Sequence, residues 1–499
     1  MLITRRVPTS EALYTHMSVT VGGLPVQTPV CRVSAMPYNT PWPGCQRPLD
    51  QTEEAAFVGF EADEPISLTV TYDRPVSEVL VRPLSKHVTV LLDGQTATFT
   101  LPAPGAYTLE ADGFHNALHI FFDPIRDFAD RTVGSTRNVI TFGPGVHRIG
   151  CMELTSGTTV LIDRDAYLIG SLVAYCAEDI DVLGYGVIDG REEVRTSDSL
   201  LLPRRYDGLL PADRGGLIDM MGRENVLYGA LRFFRCRNVH VEGPILRDTA
   251  TFAVIPANCE NCTFENIKTI GMWKYNSDGI DLFNCRNIVI RNCFLRNFDD
   301  CIVIKGICGW DAWNNENILV EGCVVWCDWG RNLELGAETN APEYRNIIFR
   351  DCDCIHGSSI MLDIQHHNRA DIHHVLFENI RCEYTRHQLP DVFQNDMNAP
   401  YPQDAPQHHP LLMCLPIYRS GLFSEDGLNG RTHDILFKDI QVLTDDPSVP
   451  MPESSFTGLD ADHTVERVNV ENVTFNGTPV SGRAGLRLNL NAYTSDIRV

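Results

Sequence analysis

Two acidic motifs in the middle of the chain contain the residues best suited to chemistry. Asp278 lies in an Asn-Ser-Asp-Gly segment that begins at Asn276, and Asp299 is followed directly by Asp300. Neighbouring carboxylates repel each other, so the pKa of one is pushed upward and it can stay protonated near neutral pH. Such a set can protonate a leaving oxygen and deprotonate a water molecule, as glycoside hydrolysis requires. The alternative is that Asp-Asp and Asp-Gly only make turns.

Further polar residues alternate with apolar ones in the segments that follow. Because side chains of a strand alternate between its two faces, the apolar positions predict an inner face and the polar positions an outer one. The residues expected on the outer face as substrate contacts are Asp281, Lys305, Glu334, Asp363 and Gln365, with Met361 beside them. Lys305 could also be a charge partner that keeps Asp300 ionised, or a lysine on the surface of the fold.

Aromatic and histidine residues lie near these motifs. Five of the six tryptophans occur there, namely Trp273, Trp310, Trp313, Trp326 and Trp329. Aromatic rings stack on the apolar faces of sugars, and Trp273 and Asn276 are added to the expected substrate contacts. His366 directly follows Gln365 and is expected to contact substrate, although a surface turn or a metal ligand is also compatible with its position.

A repeat determines how these residues are positioned. Asparagine recurs at 238, 261, 287, 317 and 346, in steps of 23, 26, 30 and 29 residues. Each unit reads as a short strand, a polar turn and a second strand, and the leucine-rich pattern of another repeat class is missing. The repeat predicts coils of a parallel β-helix, in which asparagines stack on asparagines and cysteines on cysteines. A zinc site at Cys259 and Cys262 is the less favoured interpretation, and no metal or cofactor is expected.

The chain divides into two predicted domains. Residues 1–135 contain short β-rich runs separated by turn residues, which is typical of a small antiparallel β-sandwich. Residues 136–499 form the predicted β-helix, and residues 386–431, rich in Pro, His, Asp and Asn, are expected to be a loop inserted between coils. The fold class is therefore all-β.

Composition excludes several functions. The 499 residues carry a net charge of −24, which disfavours nucleic acid and anionic membrane as partners. There is no apolar stretch long enough to span a membrane and no secretory pattern at the start. The 17 cysteines are interpreted as reduced thiols, so we expect a cytoplasmic protein, and its oligomeric state stays open.

Several segments resemble glycoside hydrolase family 28, the polygalacturonases and their relatives. They are FFRCRNVHVEGPILRD at 233–248, NSDGID at 276–281, DDCIVIKG at 299–306 and GYGVIDG at 184–190. The resemblance covers roughly residues 136–385 and implies single-displacement hydrolysis of an oligosaccharide with inversion. By position, Asp299 would be the general acid, while Asp278 and Asp300 would hold and activate water.

Two departures from the family pattern concern specificity. Arg331 stands where the family carries His, and residues 359–365 (SIMLDIQ) replace the R-I-K segment that holds a uronate carboxylate. Glu334 and Asp363 then favour a neutral sugar, unless Arg331 or Lys305 binds the uronate. The N-terminal region, with DGFHNALHIFFDP at 112–124, also resembles that of glycoside hydrolase family 49, the dextranases and isopullulanases, which share the inverting aspartate triad. That family is the close alternative.

Two other classes remain open on the sequence. A β-helix polysaccharide lyase would need Ca²⁺ and a basic residue as the base, a role that only Arg331 suggests. A noncatalytic carbohydrate-binding β-helix would tolerate Asp299→Asn without loss of any measurable property.

Overall fold

Strands and turns make up almost the whole chain, in two successive parts. The computed structural model describes residues 1–39, 47–132, 134, 136–193, 229–307, 310–394, 399–419 and 427–499. Within these residues the helical elements are short, and no helix has the length and apolar character to cross a membrane. The helical segments are Leu49–Gln51, Leu84–Lys86, Phe128–Thr132 and Gly482–Gly485.

The first part consists of two sheets packed around an apolar core. One sheet contains Leu2–Thr4, Val30–Ser34, Thr52–Ala62, Val79–Arg82, Gly105–Ala111 and Leu118–Asp123. The other contains Met17–Val21, Leu24–Val26, Ile66–Tyr72, Val90–Asp93 and Thr96–Leu101. Pairing is antiparallel except between Leu118–Asp123 and Thr52–Ala62, which run parallel. We call this part the sandwich.

The second part is a parallel β-helix with three sheets, each named here by a feature described below. The asparagine sheet contains Asn138–Phe142, Thr158–Ile162, Glu178–Gly184, Arg237–Glu242, Glu260–Glu265, Arg286–Arg291, Asn315–Glu321, Glu343–Arg350, Asp371–Tyr384, Arg431–Thr444, Val465–Phe475 and Thr494–Arg498. The docking sheet contains Gly145–Leu154, Ala166–Tyr175, Val187–Asp189, Ile245–Arg247, Lys268–Met272, Phe294–Asn297, Val324–Cys327 and Asp353–His356. The long strands Gly145–Leu154 and Ala166–Tyr175 pair with each other and continue into the third sheet. The carboxylate sheet contains Ala166–Tyr175, Leu231–Phe234, Val254–Ala257, Ile280–Phe283, Ile302–Gly306, Arg331–Thr339, Ile360–His366, Leu411–Pro416, Ser454–Thr457 and Leu488–Leu490. The all-β fold class predicted from the sequence is confirmed.

The repeated asparagines form one continuous ladder. Asn238, Asn261, Asn287, Asn317 and Asn346 all have positive φ between 53° and 57°. The side-chain amide of each of the last four donates to the amide oxygen of the asparagine one coil earlier, over 3.0 to 3.4 Å. Asparagine suits this position because it tolerates the left-handed conformation and carries both a donor and an acceptor. The predicted stacking therefore fixes the register of successive coils.

The interior of the β-helix is apolar and contains most of the cysteines. Among the described residues every cysteine is a free thiol, and all but Cys151 and Cys176 are buried. Cys259 Sγ lies 3.2 Å from the carbonyl oxygen of Phe233, and Cys262 belongs to the same core cluster. These contacts are those of small core side chains, as the repeat predicted.

The sandwich packs on the docking sheet through apolar contacts and buried ion pairs. Phe57 and Phe121 of the sandwich share a core cluster with Phe294 and Trp326 of the docking sheet. Arg82 of the sandwich binds Glu110 and reaches into the β-helix to bind Glu383 and Asp445, over 2.6 to 3.0 Å.

The segment 386–431 differs in part from the expected inserted loop. Leu411–Pro416 is a strand of the carboxylate sheet, paired with Ile360–His366 on one side and Ser454–Thr457 on the other. Its apolar side chains complete a coil of the β-helix, which the many Pro and His residues around it obscured in the sequence. The short strand Val392–Phe393 pairs with Tyr38–Asn39 of the sandwich.

Candidate active site

Acidic side chains stand in register on the carboxylate sheet. Asp281 pairs with Val303, Val303 with Glu334, and Glu334 with Asp363 in successive coils. The three carboxylates are fully buried, and their apolar chain neighbours pack in the core of the β-helix. Strand alternation therefore predicted the shared face of Asp281, Glu334 and Asp363 correctly.

Asp278, Asp299 and Asp300 occupy the turns that lead into these strands. The amide of Gly279 donates to the carbonyl of Asp300 over 2.8 Å, and the amide of Cys301 donates to the carbonyl of Arg331 over 2.9 Å. These bonds stack the turns of three successive coils. All three aspartates are buried, and the carboxylates of two neighbouring coils meet at the Lys305 ammonium, as described below.

Gly330 forms one wall of that site. A methyl group at position 330 would lie 2.4 Å from Oδ1 of Asp300 and 2.6 Å from Oδ1 of Asp299. Both distances are shorter than any normal contact, so a side chain here would displace the two carboxylates.

The Lys305 ammonium lies among four carboxylates. Its Nζ is 3.4 Å from Glu338, 3.5 Å from Asp300, 3.8 Å from Asp278 and 3.9 Å from Asp281. Burial opposes the charge of Lys305, but the carboxylates outweigh burial and raise the pKa of the ammonium well above its usual value. Lys305 is therefore a cation at neutral pH and is the charge partner of the acidic cluster.

Asp299 and Asp300 differ in protonation although they are adjacent. Burial, reinforced by the charge of Asp300, raises the pKa of Asp299 to about 7. Burial also acts on Asp300, but Lys305 and Arg331 outweigh it and hold the pKa of that carboxyl below its usual value. The Arg331 amide donates to Asp300 Oδ1 over 3.0 Å, which further favours the carboxylate. One proton donor and one carboxylate thus stand side by side.

Four other acidic residues of the site have raised pKa values. Burial, followed by the charge of Asp281, raises the pKa of Asp278 well above its usual value, and burial does the same for Asp281. Burial and the charge of Asp300 raise the pKa of Glu334. Burial raises the pKa of Asp363 to about 7, against the opposing effect of Arg331.

Arg331 is the more accessible cation of the site. Its guanidinium lies 3.6 Å from Asp363 and 3.9 Å from Asp300, and its side chain keeps 25% of its exposure, against 7% for Lys305. The surrounding carboxylates outweigh the burial of the guanidinium and raise its pKa, so Arg331 stays charged.

Two other residues expected to bind substrate are buried and hydrogen-bonded within the protein. Trp273 is largely buried, and its indole N–H donates to Asp248 over 2.8 Å. His366 is fully buried, with Nδ1 3.0 Å from the Thr432 hydroxyl, and burial lowers its pKa to about 3. Their positions in the sequence, one coil or one residue from the motifs, could not show that their side chains turn inward.

Asn276 and Gln365 lie at the margin of the site. Asn276 is half-buried in a turn with φ of 54°, two residues before Asp278. Gln365 is half-buried and pairs with Gly336, two positions beyond the pairing of Glu334 with Asp363. Met361, expected on the outer face, belongs instead to the apolar core of the β-helix.

Sequence reasoning missed two residues of the site, Glu338 and Gly330. The pairing of Ile302–Gly306 with Arg331–Thr339 shifts register after Ile304, so Gly306 pairs with Thr339. This irregularity brings Glu338 to Lys305, and simple alternation could not reveal it. Gly330 directly follows Trp329 and carried no chemical signal of its own.

Comparisons with known proteins match the region that contains these carboxylates. Residues 224–386 match the model of the glycosyl hydrolases family 28. Exopolygalacturonase X of Aspergillus niger is 27% identical over 169 residues, which are 32% of this chain and 31% of that protein. The exopolygalacturonase of Cochliobolus carbonum is 26% identical over 180 residues, which are 34% and 33% of the two chains. The chain thus aligns with about a third of the length of these relatives.

A solved structure is similar over nearly the whole chain. Dex49A from Penicillium minioluteum superimposes with a TM-score of 0.63 at 13% identity, covering 99% of this chain and 97% of that one. This likeness concerns the fold, a sandwich followed by a β-helix. The resemblance to family 28 in the β-helix is therefore confirmed, and the likeness to Dex49A shows that the chain shares its fold. The protein is a parallel β-helix protein that contains a region similar to the glycosyl hydrolases family 28.

Proposed function

We propose that the protein is a glycoside hydrolase that cleaves α-linked, pectin-type oligosaccharides with inversion at the anomeric carbon. The observation that carries the proposal is the split between Asp299, whose pKa is raised to about 7, and Asp300, whose pKa is lowered. Hydrolysis by inversion needs one carboxylic acid that protonates the leaving oxygen and one carboxylate that deprotonates the attacking water. The match to family 28 supports the same chemistry.

The three aspartates divide the work in this proposal. Asp299 donates its proton to the leaving glycosidic oxygen, and Asp300 accepts a proton from the attacking water. Asp278, whose pKa is raised, orients that water in its neutral form. Lys305 keeps Asp300 ionised, and Arg331 is the residue available to pair with a uronate carboxylate. The sugar lies above the buried carboxylates Asp281, Glu334 and Asp363, with the half-buried Asn276 and Gln365 at its margin.

Incubation with oligogalacturonides, followed by proton NMR, tests this proposal. We expect the first product signal to be that of the inverted anomer, before mutarotation mixes the two forms. Asp299→Asn should reduce kcat by about 10²–10⁴-fold while the protein stays folded. Asp130→Asn, on an exposed aspartate outside the site, is the matched control and should leave kcat unchanged. A product of retained configuration, or full activity in Asp299→Asn, would refute the mechanism.

We also propose that the protein works in a reducing compartment such as the cytoplasm. The free thiols of all described cysteines support this location, because closely stacked cysteines in an oxidising compartment tend to pair. Thiol titration of freshly isolated, unfolded protein should count all 17 cysteines of the chain. A thiol count reduced by two for each disulfide would contradict the proposal.

A further inference from the structure

Three aromatic rings form a row that begins beside the catalytic aspartates and ends in solvent. Phe298, which directly precedes Asp299, stacks on Trp329 with ring centroids 6.3 Å apart. Trp329 in turn meets Phe393 edge-on, with centroids 5.8 Å apart. We call these three residues the aromatic row.

Exposure increases along the row. Phe298 is fully buried, Trp329 is half-buried, and Phe393 keeps 53% of its exposure. Phe393 is not an isolated exposed side chain, because it continues an aromatic surface that starts at a reactive site. The row therefore offers apolar faces in one direction from the carboxylates.

The row is continuous with the carboxylate site. Trp329 is bonded to Gly330, whose added methyl group would lie 2.6 Å from Asp299 Oδ1. Adjacent Cα atoms are about 3.8 Å apart, so the indole starts within one sugar ring of the carboxylates. An oligosaccharide held for cleavage at Asp299 would extend over Trp329 toward Phe393.

The sandwich holds the outer end of the row in place. Val392–Phe393 pairs with Tyr38–Asn39, and the amide of Val392 donates to the carbonyl of Pro37 over 2.9 Å. Next to Phe393, the Gln394 side chain accepts a hydrogen bond from Gln51 over 3.3 Å.

The sandwich also supports the inner end of the row. The buried Arg47 guanidinium lies 4.1 Å from the centre of the Phe298 ring. The Tyr275 hydroxyl lies 3.2 Å from both Gln51 and Gln394, so one hydrogen-bond network joins the sandwich, the β-helix and the segment that contains Phe393.

We infer that Trp329 and Phe393 form a sugar-binding subsite, in which a ring of the substrate next to the scissile bond stacks on their aromatic faces, and that the sandwich positions this subsite. The inference rests on the proposed glycosidase function for the identity of the ligand. The sandwich is thereby part of the substrate site, in addition to packing on the β-helix. Sugar C–H groups contact the aromatic faces, while sugar hydroxyls stay in water.

Kinetics on oligogalacturonides of increasing length test the subsite. Phe393→Ala should raise KM by about 3–10-fold for the substrates long enough to reach it, with kcat unchanged. Phe393→Trp should keep KM near the wild-type value, because the larger ring offers the same aromatic face. Leu91→Ala removes another exposed apolar side chain, 71% exposed on the sandwich, and should change nothing. Equal KM values for wild type and Phe393→Ala at every length would overturn the subsite.

Calorimetric titration separates this inference from the proposed function. Tetragalacturonate is titrated into Asp299→Asn and into the same variant with Phe393→Ala. Weaker binding with Phe393→Ala supports the subsite even if the wild type shows no turnover, which would refute only the glycosidase function. Turnover by the wild type with equal affinities of the two variants overturns only the subsite. If the wild type shows no turnover and neither variant binds tetragalacturonate, both the glycosidase function and the subsite are overturned.

The role of the sandwich has its own test. Gln51→Ala removes the hydrogen bonds to Gln394 and Tyr275 and should raise KM in the same direction as Phe393→Ala. The double variant should show little additional effect, because both changes act on one subsite. Independent, additive effects of the two changes would show that the sandwich does not position Phe393.

Discussion

Lys305 Nζ lies closer to Glu338 than to any of the three aspartates around it, 3.4 Å against 3.5 Å for Asp300, the nearest of them. Glu338 therefore competes with the three aspartates for Lys305, which is more deeply buried than Arg331. The ammonium is shared between Glu338, which has no proposed catalytic role, and the aspartates of the site. The position of the ammonium therefore sets how strongly Asp300 is kept ionised.

Removal of this cation should change the pH dependence of activity. Lys305→Met leaves Asp300 without its main positive partner, so the pKa of Asp300 rises and the carboxylate is lost at a higher pH. We expect the acid limb of the kcat/KM profile to move upward by about 1–3 pH units. Lys86→Met, on an exposed lysine of the sandwich, is the control. An acid limb that stays in place would show that Lys305 does not act on the base.

The alkaline limb should report Asp299. A general acid works only when protonated, and the pKa of Asp299 is raised to about 7. The value of kcat/KM should therefore fall as pH rises through about 7, and a profile measured across neutrality checks this. An activity that stays constant well above neutral pH would assign the proton donor to another group.

Gly330 is expected to be indispensable for steric reasons. Gly330→Ala places a methyl group 2.4 Å from Asp300 Oδ1, and the carboxylates must move. A displacement of about 1 Å at reacting groups can cost about 10²-fold in rate, and we expect at least this loss in kcat. Gly143→Ala is the matched control because its methyl group would meet nothing within 4 Å. Near-normal kcat in Gly330→Ala would show that the carboxylates tolerate the shift.

Asp363 should destabilise the folded protein at neutral pH. Its pKa in the folded state is raised to about 7, so the folded state binds the proton more tightly than the unfolded chain. Stability is therefore greatest below the unfolded pKa of about 4 and falls as pH rises through about 7. Asp363→Asn should raise the free energy of unfolding at neutral pH by up to a few kcal/mol, at about 1.4 kcal/mol per pKa unit.

Urea unfolding at acid and neutral pH measures this effect. The stabilisation by Asp363→Asn should be small at acid pH, where the wild-type carboxyl is already neutral. An equal change at both pH values would indicate a packing effect instead of proton linkage.

Arg82 should be essential for the packing of the sandwich on the β-helix. Arg82→Met leaves Glu110, Glu383 and Asp445 without their shared cation in a buried position, a loss of about 3–5 kcal/mol. Arg74→Met removes an ion pair whose arginine side chain is half-exposed and should cost less than about 1 kcal/mol. Chemical denaturation measures the free energy of unfolding of the two variants. Similar losses of stability would show that the buried network contributes no more than an exposed ion pair.

Much of the fold could be predicted from the sequence because the repeat is a local property. Each interval between successive asparagines from Asn238 to Asn346 corresponds to one coil. The strict alternation of polar and apolar residues around Asp281 and Glu334 is that of strands with one face in the apolar core. The meeting of Asp278 with Asp299 and Asp300 followed from the same repeat. These features depend only on neighbours within a coil or one coil away.

The rest depended on contacts that no local pattern records. Glu338 reaches Lys305 because of a register shift, and Trp273 turns inward to bond Asp248. Leu411–Pro416 completes a coil although its surroundings read as a loop. Phe393 meets Trp329 through pairing with the distant strand Tyr38–Asn39, a partner that neither periodicity nor composition identifies.

The strand pairing between Tyr38–Asn39 and Val392–Phe393 also has a kinetic meaning. The Tyr38 hydroxyl donates to the carbonyl of Ala399, 361 residues further along the chain. Contacts of such high contact order close a long loop and form slowly, whereas the coils between them can stack on one another in sequence. During synthesis the sandwich leaves the ribosome first and must wait for most of the β-helix before this pairing can close. The aromatic row is therefore expected to be among the last parts of the molecule to assemble.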